Sequence, residues 1–312
     1  MSLDRALELG ERHRGTAHPK PTVAAVLVLA GEIVGEGWTE PGGRHGEIVA
    51  LEQASERARG ATLYLTMEPC AHHGTTPPCV DAIVAAGVAR VVAASSDPNP
   101  EAAGGLERLH AAGIETALED RFEARAQNEA WRTWVTEGRP FVTYKVAATV
   151  DGRVTVPGSR WVTGDASRRL VHELRAASDA VAVGMGTVRA DEPRLDARDV
   201  ETIRQPRRLA FGRGPLPAGS ELELRTGTLK DELAALAAEG VQSLLLEGGP
   251  TLAGSFLRSG LVDKVLLFVA PTLSGAGPGI LDRLDAPLSL TRLTARQVGE
   301  DVLVEGYLRE PR

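Results

Sequence analysis

The sequence predicts two α/β domains in series. Its 312 residues suggest two domains of ordinary size, and 43% hydrophobic with 25% charged residues is the balance of a globular protein with apolar material for two cores. Strand-like and helix-like segments alternate in two series, separated by a helix-like segment at 123–138 that ends at Gly138. We therefore expect one domain in residues 1–140 and another in residues 141–312.

The first series begins with a charged amphipathic helix, followed by two apolar runs that read as a hairpin turning at Ala30-Gly31. Helical and strand patterns then alternate as far as the connecting helix. The predicted helices are 4–14, 45–59, 79–86, 101–112 and 123–138, and the predicted strands are 23–29, 32–38, 62–66 and 88–94.

The second series has the same alternation, with short apolar strands before amphipathic helices. The segment 212–228 is rich in Gly, Pro and Arg, so we expect a surface loop there. The predicted helices are 165–177, 230–238 and 251–259, and the predicted strands are 141–146, 180–183, 207–211, 243–246 and 264–269.

Charge and composition exclude several classes of partner. A net charge of −7 and a pI near 5.6 do not suit nucleic-acid binding, which needs a basic face, although a few local cations can hold a small phosphorylated substrate. The longest apolar runs, such as 23–30 and 265–270, are far shorter than a membrane span of about 18 residues. With two cysteines and no recognisable targeting segment, the expected location is the cytoplasm.

The catalytic signal lies in His45-Gly46-Glu47 and in Cys70 and Cys79, the two cysteines of the chain. H-x-E followed by P-C and a second Cys is the zinc deaminase signature, here with eight residues between the cysteines instead of two. Three protein ligands leave one position of a tetrahedral zinc open, and zinc lowers the pKa of water there to near neutrality. We expect His45, Cys70 and Cys79 to bind zinc and Glu47 to shuttle protons. His45 and Cys79 should each begin a helix, where the dipole favours thiolate.

Two other interpretations of these residues remain open. A structural zinc site normally has four protein ligands, and His72 or His73 could supply the fourth. The cysteines could also be incidental thiols with no metal.

The whole pattern resembles the bifunctional riboflavin-biosynthesis deaminase/reductase family, often called RibD or RibG, over nearly all 312 residues. The long insert between the cysteines, with its HHG and TPPC, distinguishes this family from other zinc deaminases. The matching segments are 66–74, 76–79 and 97–100 in the first half, and 145, 151–153, 161–164, 174–175, 184–188, 191, 193–195, 246–249 and 270–271 in the second.

The resemblance implies a cytidine-deaminase-like three-layer domain followed by a dihydrofolate-reductase-like α/β domain. It implies zinc-dependent deamination of 2,5-diamino-6-ribosylamino-4(3H)-pyrimidinone 5′-phosphate, and then reduction of the ribosyl group to a ribityl chain with NADPH. It also suggests a homo-oligomer.

The resemblance further implies the residues that contact the ligands of the reductase domain. Carried over by position, the NADP contacts are Ala147, Trp161, Thr187, Asp191 and the loop Gly249, Pro250, Thr251, Leu252, Ala253, Gly254 and Ser255. The contacts to the reductase substrate are Ser159, Arg175, Leu195, Arg198 and Glu247.

The residue types agree with these roles. Glu247-Gly248-Gly249 closes a strand and opens a helix, so backbone N–H groups there can face a phosphate. Arg175 and Arg198 could hold the substrate phosphate, and Lys145 and Asp151 lie at a strand end. Taken singly, Gly-Gly and Asp-Gly also mark ordinary turns, and Trp161 could be a core residue.

The sequence departs from the family pattern around the deaminase site. Lys20 replaces the usual Asn, Thr39 the usual His, Thr75 the usual Lys or Arg, and Gly46 the usual Ala, where glycine in a helix costs up to about 1 kcal/mol with no evident benefit. The loss of a cation at 75 and its gain at 20 suggest a phosphate contact at a new position. In the second half, Gly212-Arg213 replaces Asp-Ser, and the stretch to residue 230 is short by a strand and a helix.

These departures leave two alternative functions open. The chain could be monofunctional, with one active domain or a shifted deaminase substrate. It could also be a nucleotide-binding sensor without activity, although intact Glu47 argues against that for the first domain.

Overall fold

The computed structural model describes residues 2–73 and 77–312, which divide into two compact units. Unit 1 contains the described residues up to Glu137 together with Pro311–Arg312, and unit 2 is Gly138–Glu310. Among the described residues, no helix has both the length and the apolar character needed to cross a membrane.

Unit 1 is a three-layer sandwich. Its described sheet has the order β2-β1-β3-β4-β5, in which β1 is antiparallel to both neighbours and β3, β4 and β5 run parallel. Helices α2 and α3 pack on one face of the sheet, and α1 and α5 pack on the other. The elements are α1 (Ser2–Arg12), β1 (Ala24–Leu29), β2 (Glu32–Trp38), α2 (Gly46–Ala54), β3 (Thr62–Leu65), α3 (Cys79–Ala86), β4 (Arg90–Ala93), α4 (Gly105–Ala111), β5 (Glu115–Leu118), α5 (Phe122–Gln127) and α6 (Glu129–Glu137).

The hairpin and the helix at Cys79–Ala86 are confirmed, but two predicted helices differ. The connecting helix is divided at Asn128, whose side chain accepts from Thr22 N at 2.9 Å and donates to Thr22 O at 2.9 Å. The helix predicted from residue 101 begins only at Gly105, and the Asn99 side chain accepts from Glu101 N before it. At both places an asparagine side chain bonds to backbone groups, locally at Asn99 and to a distant segment at Asn128.

Unit 2 contains a larger sheet, described in the order β12-β13-β11-β6-β10-β7-β8-β9. Strands β11, β6, β10, β7, β8 and β9 run parallel to one another. At one edge of the sheet, β13 pairs antiparallel with β11, and β12 pairs antiparallel with β13. The elements are β6 (Phe141–Thr149), α7 (Asp165–Ala177), β7 (Ala180–Gly184), α8 (Met185–Asp191), β8 (Arg207–Phe211), β9 (Glu223–Arg225), α9 (Leu229–Ala238), β10 (Ser243–Leu246), α10 (Pro250–Arg258), β11 (Lys264–Ala270), β12 (Thr291–Val298) and β13 (Asp301–Tyr307).

Four elements of unit 2 were absent from the sequence prediction, namely β9, α8, β12 and β13. The segment 212–228 is not loop throughout, because β9 pairs with β8 and Arg207 binds Glu223 at 3.0 and 2.5 Å. The edge strand β12 is exposed over all but its last residue, so it lacks the apolar alternation that marks a strand. Helix α8 directly follows β7, and no polar residues separate the two elements in the sequence.

The core of unit 2 covers both faces of this sheet. Helices α9 and α10 bury Leu233, Leu236 and Phe256 against one face, and α8 buries Val188 against the other. The carboxyl ends of β6, β7 and β10 are consequently fixed side by side, the edge at which parallel sheets place ligands.

Candidate active sites

In unit 1 the structure brings together the three predicted metal ligands. One ligand atom from each of His45, Cys70 and Cys79 lies within 4.8 Å of the other two. His45 Nδ1 is 3.1 Å from Cys79 Sγ and 3.7 Å from Cys70 Sγ. One imidazole and two thiols at this spacing form a donor set that suits tetrahedral zinc with one open position.

Two helix starts position this cluster, as the sequence predicts. His45 is the N-cap of α2, and Cys79 is the first residue of α3. Gly46 has a steric reason that the sequence does not show: a Cβ there would lie 2.4 Å from Val23 O and 2.9 Å from Trp38 Cα. The glycine therefore allows α2 to start close against the β1–β2 hairpin, which places His45 over the end of the sheet.

The ligand set favours ionisation of Cys70 and opposes ionisation of Cys79. The hydrogen bond from the Cys79 thiol lowers the pKa of Cys70 to about 4 against the opposing effect of burial, with further help from His45 and the Cys79 N–H, which lies 3.4 Å from Cys70 Sγ. The hydrogen bond that the Cys79 thiol makes with Cys70, together with burial, raises the pKa of Cys79. The hydrogen bond to Cys70 raises the pKa of His45. Without a metal the two sulfurs share a proton, and zinc would displace it.

Glu47 lies beside the cluster in the first turn of α2. Its residue is 2% exposed, and its Oε2 has no hydrogen-bond partner among the described residues. Burial raises the pKa of the Glu47 carboxyl. A buried carboxylate oxygen without a partner is costly unless something else occupies the space in front of it, and a water on the metal would satisfy it. Zinc therefore fits the residues present.

The cluster opens into a cavity of about 320 Å³. Its wall includes Lys20, Thr39, Asp97, Asn99 and Trp131 in addition to the metal-site residues. Burial raises the pKa of Asp97 to about 6. Asp97 and Asn99 follow β4, where the family motif places them, whereas nothing in the sequence marks Trp131 of α6 as a cavity residue.

The structure places the departures from the family pattern as follows. The Thr39 hydroxyl accepts from Val23 N at 2.9 Å and lies 3.4 Å from Val23 O, so it ties β2 to the segment before β1. Thr75 lies outside the described residues. His72 lines the cavity, but the metal-ligand grouping found among the described residues includes neither His72 nor His73.

In unit 2, Lys145, Arg175 and Glu247 form a cluster. The register pairs Leu246 with Tyr144 of β6, so Glu247 emerges beside Lys145, with Nζ 3.6 Å from Oε2. Arg175 of α7 donates to the same carboxylate through Nε at 2.6 Å and Nη2 at 3.0 Å. Sequence reasoning named these residues but missed their pairing, because 72 positions separate Arg175 from Glu247.

The cluster is buried, and its one carboxylate pairs with two cations. The Glu247 side chain is 9% exposed; burial opposes its ionisation, but Lys145 and Arg175 together hold the pKa of Glu247 below its ordinary value. Arg175 Nη1 reaches Asp196 O at 3.2 Å, and Arg198 donates to Asp196 Oδ1 at 2.7 Å. Arg175 is thus held by protein groups, while Arg198 is the more exposed cation.

The predicted nucleotide loop forms the start of α10. Gly249 is its N-cap without a side-chain hydrogen bond, and Pro250 follows at the first turn. Helix α8 also starts uncapped at Gly184, and the two starts are adjacent: a Cβ on Gly249 would lie 3.7 Å from Thr187 Oγ1, and one on Gly184 3.4 Å from Leu252 Cβ. Two adjacent helix N-termini with free N–H groups fit the phosphates of a dinucleotide. The remaining loop positions continue into α10, namely Thr251, Ala253, Gly254 and Ser255.

The other predicted reductase contacts lie in different settings. Ala147 is half-buried on β6 and pairs with Phe268. Trp161 is 48% exposed between the guanidinium groups of Arg160 and Arg168, at 5.0 and 5.1 Å, so it is not a core residue. The Ser159 hydroxyl donates to Trp161 O at 2.8 Å.

Three further positions differ in what they can offer a ligand. Asp191 is exposed at the end of α8. Leu195 is 2% exposed, packs with Val188 and Met185 and has φ +56°, so its backbone is the part available to a substrate. Asp151 accepts from Thr149 Oγ1 at 2.6 Å and from two backbone N–H groups at 2.8 and 2.9 Å.

Comparison with known proteins places both units in described families. Residues 2–95 match the cytidine and deoxycytidylate deaminase zinc-binding region, and residues 140–304 match the RibD C-terminal domain. The chain is 39% identical to riboflavin biosynthesis protein RibD of Aquifex aeolicus, covering 96% of this chain and 95% of that protein. It is 38% identical to RibD of Escherichia coli, with 96% of each covered.

Solved structures agree with these matches and confirm the predicted fold class. RibD of Acinetobacter baumannii is 34% identical and superposes with a TM-score of 0.87, covering 98% of this chain and 97% of that chain. A diaminohydroxyphosphoribosylaminopyrimidine deaminase/5-amino-6-(5-phosphoribosylamino)uracil reductase of Thermotoga maritima is 32% identical with a TM-score of 0.85 and the same coverage. The chain has a cluster of zinc-ligand type and a reductase domain, and it matches its relatives over almost their whole length. It therefore belongs to the RibD family of bifunctional riboflavin biosynthesis proteins.

Proposed function

We propose that the chain catalyses both steps attributed to its relatives: deamination of a phosphoribosylated diaminohydroxypyrimidine, followed by NADPH-dependent reduction of the ribosyl group. The observation that carries this proposal is the His45, Cys70 and Cys79 cluster beside the buried, unpartnered Oε2 of Glu47. A deaminase needs this combination of an open metal position and an adjacent proton shuttle.

In the deaminase step, His45, Cys70 and Cys79 hold zinc, which when bound supplies a nucleophilic water at neutral pH. Glu47 accepts one proton from the attacking water at Oε2 and delivers it to the ring nitrogen. It then accepts the second proton, from the hydroxyl now on the ring carbon, and delivers it to the departing amino group, which leaves as ammonia while the carbonyl forms. The position of this buried carboxyl beside the metal ligands suits both transfers, because a proton shuttle must lie within reach of the water and of the ring.

In the reductase step, the adjacent starts of α8 and α10 hold the phosphates of NADPH, which when bound supplies the hydride. Ala147, Trp161, Thr187 and Asp191 complete the cofactor site. The substrate binds at the carboxyl ends of β6 and β10, with contacts from Ser159, Arg175, Leu195, Arg198 and Glu247.

The ion pairs from Lys145 and Arg175 to Glu247 hold these groups in one arrangement before substrate binds. Arg198 is the cation best placed to receive the substrate phosphate, because the Arg175 guanidinium is already shared between Glu247 and Asp196.

The remaining assignments follow from these roles. The deaminase domain comprises residues 1–140 and the reductase domain residues 141–312. The partners are small phosphorylated pyrimidines, and the location is the cytoplasm, where free thiols such as Cys70 and Cys79 are kept reduced. The assembly is a homo-oligomer, supported by the exposed edge strand β12 with Leu293 61% exposed; light scattering after gel filtration tests it.

The decisive experiment measures ammonia release from the diaminopyrimidinone ribotide by the zinc-loaded chain, followed by NADPH oxidation in the same cuvette. The proposal expects both signals in this order. Ammonia release without NADPH oxidation would restrict the activity to residues 1–140, and zinc-loaded protein that releases no ammonia from the ribotide would contradict the deaminase assignment.

A further inference from the structure

A single cation lines the deaminase cavity. Among the residues that the structure places on its wall, Lys20 is the one lysine or arginine, whereas Glu47, Glu68 and Asp97 are carboxylic acids. Residues 74–76, which the structure does not describe, are Gly, Thr and Thr and have uncharged side chains. A substrate that enters this cavity with a phosphate group therefore meets one basic side chain on the described wall, that of Lys20.

The loop after β2 is shaped around the Lys20 side chain. Gly43 has φ +86°, and a Cβ there would lie 2.4 Å from Lys20 Nζ, 2.8 Å from Cε and 2.9 Å from Cδ. The stem of Lys20 thus runs directly across Gly43, in space that any other residue would fill. The neighbouring Gly42 has a similar φ of +96° but nothing within 4 Å of its Cβ position.

The ammonium group keeps donors available for a ligand. Lys20 Nζ donates to Gly43 O at 3.3 Å, and within the described chain no carboxylate forms an ion pair with it. An ammonium has three N–H donors, so two remain. Lys20 is half-buried, its aliphatic stem is held against Gly43, and no described carboxylate neutralises its charge. A lysine in such a position is a suitable phosphate ligand.

We propose that Lys20 binds the phosphate of the deaminase substrate and that Gly43 is the residue that seats it. This inference rests on the proposed function, because it assigns the phosphate contact within the same cavity. The phosphate is remote from the ring carbon that reacts, so Lys20 acts on substrate affinity and on the preference for a phosphorylated substrate.

The test compares the zinc-loaded full chain with Lys20→Met and Lys20→Arg variants, using the diaminopyrimidinone ribotide and its dephosphorylated riboside. For Lys20→Met we expect kcat/KM for the ribotide to fall about 10- to 100-fold, the range for one charge-assisted hydrogen bond, mostly through KM. The value for the riboside should stay unchanged, and Lys20→Arg should restore most of the preference. Zinc content serves as the folding control, because the metal ligands belong to the same unit as Lys20.

The two glycines provide a matched pair. Alanine at either position introduces the same left-handed backbone strain, but only Gly43→Ala forces the Lys20 side chain aside. Gly43→Ala should therefore lose ribotide preference, and Gly42→Ala should keep it.

Two results would overturn the inference. One is an unchanged ribotide preference in Lys20→Met, whether both substrates lose activity equally or neither does, and the other is equal behaviour of the two glycine variants. Wild-type protein that deaminates neither compound would instead refute the proposed function, and this assignment with it.

Discussion

Replacing Glu47 with glutamine should abolish deamination while leaving the zinc site and the reductase intact. Glutamine preserves the shape of a side chain that is 2% exposed, but its amide cannot accept a proton. The other cavity carboxylates are engaged: Glu68 accepts from Leu106 N at 3.0 Å and Asp97 N at 3.2 Å, and Asp97 accepts from Asn99 N at 2.8 Å. The described cavity wall therefore offers no free carboxylate that could replace Glu47 as the proton shuttle. We expect the loss of deaminase activity to lie near the upper end of the range for general acid–base catalysis.

That range is about 10²- to 10⁴-fold, or about 3 to 5 kcal/mol of transition-state stabilisation. The assay measures ammonia release at saturating ribotide without nicotinamide cofactor, alongside zinc content and NADPH oxidation with the deaminated substrate. Zinc content and NADPH oxidation should match the wild type. A Glu47→Gln variant that retains more than about one tenth of the wild-type rate would refute the shuttle role, because losing a general base costs at least about 100-fold.

Three further substitutions test other parts of the structure. Cys79→Ser should lower zinc content and ammonia release together, measured by metal analysis, because it removes one of three ligands; normal zinc content would contradict the site. Glu247→Gln should lower NADPH oxidation without affecting ammonia release. The pKa of Glu247 in the folded protein lies below its ordinary value of 4.5, so the ionised carboxylate stabilises the fold fully above pH 4.5. This stabilisation is lost as the pH falls through the folded-state pKa. The melting temperature of the variant should therefore fall less on acidification than that of the wild type. Asp263→Asn should destabilise the protein by about 3 to 5 kcal/mol in urea unfolding, because it leaves buried Arg139 without the carboxylate it binds at 2.7 and 2.6 Å; a loss below about 1 kcal/mol would contradict this.

The sequence predicts most elements of both sheets because their strands are apolar and their helices amphipathic. It fails where side chains compete with backbone or where a strand is exposed. Asn128 divides a helix by bonding to Thr22, more than a hundred positions away, and β12 has almost no buried face to produce a pattern. Such features depend on tertiary contacts that local periodicity does not encode.

The zinc cluster is predictable for a different reason. His45 and Glu47 are two residues apart, and the two cysteines have a recognisable spacing, so local sequence specifies most of the geometry. The reductase cluster is assembled by strand register and by α7, and the need for glycine at 46 appears only when Val23 O is found against it. Residue identities could be carried over from the family, but these contacts could not.

The position of Pro311–Arg312 has a practical consequence for separating the two activities. These residues belong to unit 1, where Arg125 Nε donates to Pro311 O at 3.1 Å and the 2% exposed Arg132 donates to Arg312 O. A deaminase fragment cut after residue 140 would leave a buried guanidinium without one of its acceptors, next to the Ser96 carbonyl that Arg132 also binds. Unit 2 is therefore an insertion within the polypeptide of unit 1, and a fragment that ends at the domain boundary is an incomplete copy of the deaminase rather than an isolated one.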